Sequence, residues 1–220
     1  MSLTAARTAS TRGTAIDSAR AAGGYAAARA ELAADRTLER AVFAPTIRTS
    51  RLTLRPHTMA DADAWYAIQS DPEVLRFLPW PERTREQSLT HLRRRTVSTV
   101  LARRDDFLAL AVERDGTLIG DVSMHLRVVA QEQREVEAGW LLGSAYSGHG
   151  YAAEAAGALL AFAFTELRAT TASAVIDERN VRSLVLADRL GFLRQRCSHG
   201  RWRLQLTHRM LRTGTSAKRA

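Results

Sequence analysis

A strand, a glycine turn and an apolar helix follow one another between residues 135 and 166, and they restrict the fold more than any other feature. Glu135–Leu142 begins with alternating polar and apolar side chains and ends in the apolar run Trp140-Leu141-Leu142, which is typical of a strand. The turn over 147–152 contains two glycines, which bend the backbone where a Cβ would be strained. The helix predicted over 151–166 has too few polar residues to face water on a wide stripe. It must therefore be largely buried.

The turn is also a candidate anion site. It leads directly into a helix, so amide N–H groups without helical acceptors point outward, and the helix dipole favours negative charge there. A phosphate or pyrophosphate suits such a position. Two glycines two residues apart are equally the composition of an ordinary turn. The rest of the chain has to separate these two interpretations.

The other elements predict an α/β fold. Strands are predicted over 50–56, 107–113, 117–129, 172–177 and 202–211, and helices over 58–70, 71–77, 85–101 and 181–190. Asp115-Gly116 is a hairpin-type turn between two of these strands. This order predicts a mixed central sheet of about six or seven strands flanked by helices.

The two ends of the chain differ from this body. Residues 1–44 are rich in Ala, Arg, Thr and Ser and predict an N-terminal extension, helical over 17–42 or disordered. The domain is predicted over 45–212, and 213–220 form a basic tail. The formal net charge is +9, but residues 193–220 alone carry seven Arg, one Lys and no acid. A near-neutral body with a basic end does not favour nucleic acid as the main ligand.

Composition excludes several other classes. The single cysteine, Cys197, rules out an internal disulfide framework and a cysteine-rich zinc site. No apolar run approaches the roughly 18 residues of a membrane span. We expect a cytoplasmic protein without a membrane partner, and the sequence leaves a monomer and a homodimer equally open.

Four short motifs, taken in their order, are typical of one enzyme family. They are Arg51-Leu52-x-Leu54-Arg55, Glu137-x-Gly139-Trp140-Leu141-Leu142, Gly148-x-Gly150-Tyr151-Ala152-x-Glu154-Ala155, and Asn180-x-x-Ser183 followed by Leu190-Gly191-Phe192. Through them, residues 48–211 resemble the GNAT superfamily of N-acetyltransferases, and within it the ribosomal-protein-alanine N-acetyltransferases. The resemblance implies transfer of an acetyl group from acetyl-CoA to a primary amine, without a metal. A protein N-terminal amine is the expected acceptor.

The resemblance also implies which residues meet acetyl-CoA. The pantetheine arm is expected along the main chain of Trp140, Leu141 and Leu142, and Asn180 and Ser183 are expected to approach the co-substrate. The pyrophosphate is expected on the loop formed by Ser147, Gly148, His149, Gly150, Tyr151 and Ala152. The family usually has Gln or Arg where this chain has Ser147, which lacks reach and charge, so weaker binding of the co-substrate is expected.

Two residues are candidates for proton transfer. Glu137 is the candidate base, since an amine arriving as ammonium must lose a proton before attack. Its rivals are Glu135, two residues earlier on the same strand face, and Asp121 on the neighbouring strand. In the family the serine of the last motif can protonate the leaving thiolate, which makes Ser183 the candidate acid.

Several of these residues also have simpler roles. Asn180 and Ser183 suit the cap and first turn of a helix, and His149 suits a solvated loop. Glu154 suits a carboxylate that complements the helix dipole. The aromatic residues between 65 and 80 suit a core, although Phe77 and Trp80 are the candidates for substrate binding.

Other functions fit the same sequence. The acceptor could be a small amine such as an aminoglycoside or a polyamine. The chain could also bind acetyl-CoA without catalysis, an idea that rests on Ser147, or bind nucleic acid through its basic C-terminus.

Overall fold

The computed structural model describes residues 36–208, which form ten strands and five helices. The strands are β1 Thr37–Phe43, β2 Ile47–Arg48, β3 Thr53–Pro56, β4 Val100–Arg103, β5 Phe107–Arg114, β6 Thr117–Val128, β7 Glu135–Leu142, β8 Thr171–Asp177, β9 Leu193–Ser198 and β10 Arg201–Thr207. The helices are α1 Ala62–Gln69, α2 Pro72–Leu75, α3 Arg85–Val97, α4 Tyr151–Thr165 and α5 Val181–Arg189. No helix within this part of the chain has the length and apolar character to cross a membrane.

Eight strands form one mixed sheet in the order β2-β3-β5-β6-β7-β8-β10-β9. Neighbouring strands are antiparallel, except that β7 and β8 run parallel. β1 and β4 form a separate two-stranded sheet. The predicted α/β class, a mixed sheet with helices on it, is confirmed, with eight strands in the main sheet instead of six or seven.

The parallel pair β7 and β8 separates after three residues. Pairing runs from Glu135 opposite Thr171 to Glu137 opposite Ser173 and then stops. β7 remains paired with β6 on its other side as far as Leu142. A wedge-shaped gap therefore opens in the middle of the sheet, between the second half of β7 and the second half of β8.

Helices cover the two faces of the sheet differently. α4 buries Tyr151, Ala155 and Leu159 in the main core, against Val136 and Ala138 of β7. This confirms the predicted burial of the apolar helix. On the opposite face, α1 and α3 enclose a second, smaller cluster, formed by Trp65, Ile68, Ala111 and Leu118 together with Leu92, and Leu141 of β7 packs against it. Strand alternation therefore directs consecutive β7 side chains into two different cores.

The helix predicted over 17–42 is wrong where the structure describes it. Thr37–Phe43 is a strand that pairs with β4, and the rest of that predicted helix lies outside residues 36–208. Buried Arg134 donates to Glu39 at 2.8 Å and to the carbonyl oxygen of Leu167 at 2.8 Å, which joins β1 to the domain. Pairing with a distant strand determined the conformation here, and neither composition nor periodicity reveals such pairing.

Two further elements depart from the sequence prediction. The helix predicted over 85–101 ends at Val97, because Val100–Arg103 turns back as β4 to pair with β1. β9 had no predicted counterpart, because every residue of Leu193–Ser198 is exposed and no alternating pattern marks the strand. Among the described strands it pairs with β10 alone, which places it at the edge of this sheet.

Candidate active site

The glycine turn lies at the open end of the wedge, between β7 and α4. Gly148 and Gly150 have φ values of +83° and +78°, in the region that favours glycine, as the sequence predicts. Gly150 directly precedes α4 at its N-terminus. Ser147 and His149 are exposed beside them. The turn is therefore held in a conformation that these two glycines make accessible.

The amides of this turn have no acceptor in the described part of the chain. The backbone N–H groups from Gly148 to Ala153 make no hydrogen bond there, and the first amide of this region that does is that of Glu154, which donates to the carbonyl oxygen of Gly150 at 3.1 Å. Successive free N–H groups at the positive end of a 15-residue helix form an anion-binding surface.

Glu154 fixes this surface to the segment before β3. It accepts hydrogen bonds from the Thr49 hydroxyl at 2.6 Å, the Ser50 hydroxyl at 3.0 Å and the Arg51 amide at 2.9 Å. The Arg51 guanidinium pairs with it at 2.6 Å and also donates to the carbonyl oxygen of His149 at 2.9 Å. Burial opposes ionisation of Glu154, but the bonds from Thr49 and Arg51 outweigh it and lower its pKa to about 2. The first and third motifs thus meet in one ionic contact.

Arginine and aromatic side chains surround the start of α4. The Tyr151 side chain is buried, with the Arg51 guanidinium 4.6 Å and the Arg114 guanidinium 4.9 Å from its ring centre. His149 stacks on the same ring at 5.5 Å between centroids. Tyr151 can therefore offer a ligand its amide, while its side chain is engaged in packing.

The strand beside the wedge presents main chain to the gap and side chains to both faces. Trp140 and Leu142 pack with the core under α4, and Leu141 packs on the opposite side against the Trp65 cluster. Among residues 36–208, no strand pairs with their backbone on the β8 side. An extended chain could pair with this edge as an additional strand.

Asn180 and Ser183 face the wedge from the end of β8. The Asn180 side chain accepts from the Ser183 amide at 3.1 Å and caps α5, as the simpler interpretation predicts. The Ser183 hydroxyl is 3.4 Å from the indole nitrogen of Trp140, across the gap from β7. Because the indole can only donate, the serine hydrogen remains available to another acceptor.

The candidate base lies on the opposite face of the sheet. Glu137 has a side chain 24% exposed and accepts from Arg127 at 3.1 Å. His125 is its register partner on β6 and lies against Phe107 in a tilted arrangement, with 4.4 Å between ring centres. Burial, and next the charge of Arg127, lower the pKa of His125, so its ring is neutral at pH 7. A carboxylate and a neutral imidazole therefore lie side by side on the partly exposed strip of Ser123, His125, Glu137 and Gly139, which we call the Glu137 groove.

The rival carboxylates are less available. The Asp121 side chain is buried and bonded to His57 at 2.8 Å and to Arg95 at 2.7 Å. Burial opposes its ionisation, but Arg95 and His57 outweigh that effect and lower its pKa, which makes Asp121 a weak proton acceptor. Glu135 accepts from Ser173 at 2.6 Å and from Arg203 at 2.5 Å. Both are engaged in ionic contacts within the fold.

The aromatic candidates for substrate binding lie near the groove wall made by α1, α2 and α3. Trp80 stands 5.1 Å from the guanidinium of Arg83, which bonds Gln69 of α1. Phe77 lies beside Arg76 at 5.3 Å. Trp65 and Tyr66 belong to α1, and Trp65 is fully buried, as expected of a core residue. No group of three His, Cys, Asp or Glu side chains within residues 36–208 is arranged to hold a metal ion.

A family model supplies the deciding comparison. Residues 51–193 match the acetyltransferase (GNAT) domain. The chain belongs to the GNAT acetyltransferase family. It is therefore an acyltransferase, and the resemblance found in its four motifs is confirmed.

Individual relatives agree with this assignment. The uncharacterized N-acetyltransferase p20 of Bacillus licheniformis is 27% identical over 150 residues, which are 68% of this chain and 83% of p20. Among solved structures, Mycobacterium smegmatis RimJ in complex with CoA-disulfide has a TM-score of 0.60 at 19% identity, covering 76% of this chain and 88% of RimJ. The microcin C7 self-immunity acetyltransferase MccE, in complex with acetyl-CoA and AMP, has a TM-score of 0.58 at 15% identity, covering 72% of this chain and 93% of MccE. The two structures share the fold of this GNAT domain.

Sequence reasoning missed the residues that surround the candidate base. His125 and Arg127 lie two strand positions apart on β6, and only the register of β6 with β7 places them at Glu137. The signal was the alternation of Asp121, Ser123, His125 and Arg127 along one strand. It indicates a polar face but does not identify its partner.

Proposed function

We propose that this GNAT enzyme transfers an acetyl group from acetyl-CoA to a primary amine, and that a protein N-terminal amine is its acceptor. The observation that carries the proposal is the wedge between β7 and β8. At its mouth are six consecutive amides that find no acceptor within residues 36–208, and along one side is a strand edge that no described strand pairs with. Both features fit the two parts of acetyl-CoA that a protein must bind, a pyrophosphate and an extended amide-containing arm.

The residues that would hold acetyl-CoA follow from these features. The amides from Gly148 to Ala153 would bind the pyrophosphate, and the main chain of β7 from Ala138 to Leu142 would pair with the pantetheine arm. Arg51 positions the turn by holding the carbonyl of His149. When bound, acetyl-CoA supplies the thioester from which the acetyl group is transferred.

Glu137 would accept the proton that the ammonium group must lose before its nitrogen can attack. Its ion pair with Arg127 orients the carboxylate, and His125 beside it is a second neutral acceptor. The nitrogen then forms a bond to the acetyl carbon while the carbon–sulfur bond breaks. General base catalysis of this kind contributes about 10²- to 10⁴-fold in rate.

Ser183 would protonate the departing thiolate, and the second proton, which the acetylated nitrogen loses, would restore the serine hydroxyl. Its hydroxyl already accepts from Trp140, so the hydroxyl hydrogen can be donated toward the gap. The hydroxyl lies beside the wedge on the α4 and α5 side. This position suits a proton donor to a sulfur held between β7 and β8.

A protein N-terminus as acceptor is supported by the open groove on the Glu137 face. Ser123, His125, Glu137 and Gly139, which line it, are all partly exposed. Gly139 leaves the groove floor without a side chain, and a Cβ there would meet only Ser123, at 3.1 Å. An extended chain end could therefore reach the carboxylate.

Thioester consumption with peptide N-termini, aminoglycosides and polyamines as acceptors tests the proposal. We expect N-terminal peptides to be acetylated, and Glu137→Gln to lower kcat/KM by about 10²-fold or more at pH 7. The loss should shrink above the amine pKa of about 8, where free amine is abundant. Exposed Glu132→Gln is the matched control and Glu135→Gln tests the rival carboxylate. Acetyl-CoA that neither binds in calorimetry nor raises Tm would refute the proposal.

A further inference from the structure

One wall of the groove holds an arginine without a carboxylate partner. Arg83, in the segment before α3, is partly buried and donates to the neutral side-chain oxygen of Gln69. Within residues 36–208, no carboxylate oxygen lies within 4.0 Å of it. By contrast, Arg55 pairs with both Asp61 and Glu113. Arg83 therefore forms no salt bridge within this part of the chain.

A second arginine adds to this positive charge. Burial, and next the charge of Arg95, lower the pKa of Arg83. Arg95 itself shares the single carboxylate of Asp121 with His57. Burial, followed by the charges of Arg95 and Arg83, lowers the pKa of His91 to about 4, so His91 adds no further charge at neutral pH. Within residues 36–208, Arg83 and Arg95 together have a single carboxylate partner, Asp121.

The same wall contains buried polar atoms without hydrogen-bond partners. Within residues 36–208, four of the unpartnered atoms can only donate, namely Trp65 Nε1, Gln69 Nε2, Trp80 Nε1 and Arg95 Nε, and the other three are His57 Nδ1, Ser88 Oγ and His91 Nδ1. Direct contacts join the four donor side chains in two groups. Arg83 bonds Gln69 and covers Trp80 at 5.1 Å, and Arg95 covers Trp65 at 5.1 Å. Burying donors and cations without acceptors is costly, so a ligand that supplies acceptor oxygens would stabilise this wall.

The wall continues into the groove of Glu137. The Arg95 guanidinium lies 5.2 Å from the ring centre of Phe107, and the Phe107 ring contacts that of His125 in a tilted arrangement. His125 is in register with Glu137. A molecule whose amine lies at Glu137 can therefore direct its other end toward Arg95 and Arg83.

We propose that Arg83, together with Trp80 and Arg95, forms a carboxylate-binding subsite for the amine acceptor. The guanidinium fork matches a carboxylate geometrically, and the neighbouring indole N–H adds a donor. The subsite rests on the proposed acetyl transfer, since it selects among acceptors of that reaction. It selects against aminoglycosides and polyamines, because their additional cationic groups would face two arginines. The carboxylate can be an acidic side chain near a protein N-terminus or the α-carboxylate of a free amino acid.

Matched acceptor pairs test the subsite and distinguish the two sources. The first pair consists of two N-terminal peptides with amidated C-termini, one with Asp and one with Asn at the second residue. The second pair consists of a free amino acid and its amide. We expect kcat/KM for the carboxylate member to exceed that of its amide by about tenfold in one pair, mainly through KM. The pair that shows the preference identifies the source.

Substitutions at Arg83 locate the effect. Arg83→Met should bring the carboxylate-to-amide ratio close to one, and Arg83→Lys should retain part of the preference because it keeps the charge. Arg93→Met, on the exposed side of α3, is the matched control and should leave the ratio unchanged. Circular dichroism and Tm verify that each variant is folded.

The outcomes separate the subsite from the reaction. If the wild-type enzyme acetylates no amine, the proposed function fails. If it acetylates both members of each pair equally, or prefers polyamines, the reaction stands and the subsite is wrong. If the preference for the carboxylate member persists in Arg83→Met, the proposed location of the subsite is wrong.

Discussion

The contact between Glu154 and Arg51 is predicted to stabilise the fold and to do so in a pH-dependent manner. Glu154→Gln removes the charge while retaining the shape of the side chain. The pKa of this carboxyl falls from 4.5 to about 2, because the hydrogen bonds from Thr49 and Arg51 outweigh the effect of burial. Each tenfold change in proton affinity corresponds to about 1.36 kcal/mol. The ionised Glu154 therefore contributes at most about 3.4 kcal/mol to the free energy of unfolding at pH 7.

The expected loss is smaller because the pair is partly in water. The Glu154 side chain is 15% exposed and that of Arg51 is 46% exposed, so solvent screens the attraction. We therefore expect Glu154→Gln to lower the free energy of unfolding by about 1 to 2 kcal/mol at pH 7. Since the folded pKa is depressed, the contribution is complete above pH 4.5 and is lost as the pH falls toward 2.

Urea unfolding at several pH values measures this difference. The gap between wild type and Glu154→Gln should narrow between pH 4.5 and pH 3, with m unchanged. Glu166→Gln, an exposed carboxylate at the other end of α4, is the matched control and should change stability little. A gap of the same size at pH 3 and pH 7, or no gap at pH 7, would refute the reasoning.

Three further substitutions test other parts of the site. Gly150→Ala places a Cβ at φ +78°, 3.5 Å from the guanidinium of Arg51, so it should cost about 1 to 2 kcal/mol of stability and weaken acetyl-CoA binding in calorimetry. Asp121→Asn leaves Arg95 buried without its carboxylate and should cost about 3 to 5 kcal/mol in chemical unfolding. Ser183→Ala should lower kcat with little change in stability, because its Trp140 bond is a long 3.4 Å; an unchanged kcat would exclude Ser183 as the acid.

Elements with a strong local signal could be predicted from the sequence. β7, the glycine turn and α4 occupy nearly the residues expected, because alternation, glycine and an unbroken apolar helix are local properties. β1 could not be predicted, since its strand conformation depends on pairing with β4, about 60 residues away. β4 itself was absorbed into the end of α3, because Val100 and Leu101 continue the apolar spacing of the helix.

In the candidate site, too, residues with a local sequence signal could be predicted and residues that depend on tertiary contacts could not. The backbone roles of Gly148, Gly150 and Asn180 could be predicted, because a glycine turn and a helix cap depend on residue type and local position. The surroundings of Glu137 were not found, because His125 and Arg127 reach it only through the register between two strands. The interior position of Asp121 also depends on the tertiary fold, since its His57 and Arg95 partners are 64 and 26 residues away.

The separation of β7 from β8 connects two groups that strand geometry otherwise keeps apart. Trp140, which bonds Ser183, packs on the α4 side of the sheet, and Glu137, three residues earlier, faces the opposite side because successive side chains alternate. In a continuous sheet, the backbone would stand between the proposed acid and the proposed base. Pairing stops at Glu137 itself, so the gap begins at the residue proposed to accept the proton. A thioester held in that gap would be reached by an amine from one face and by a proton donor from the other, which is why both the wedge and the register of β7 are required for the proposed reaction.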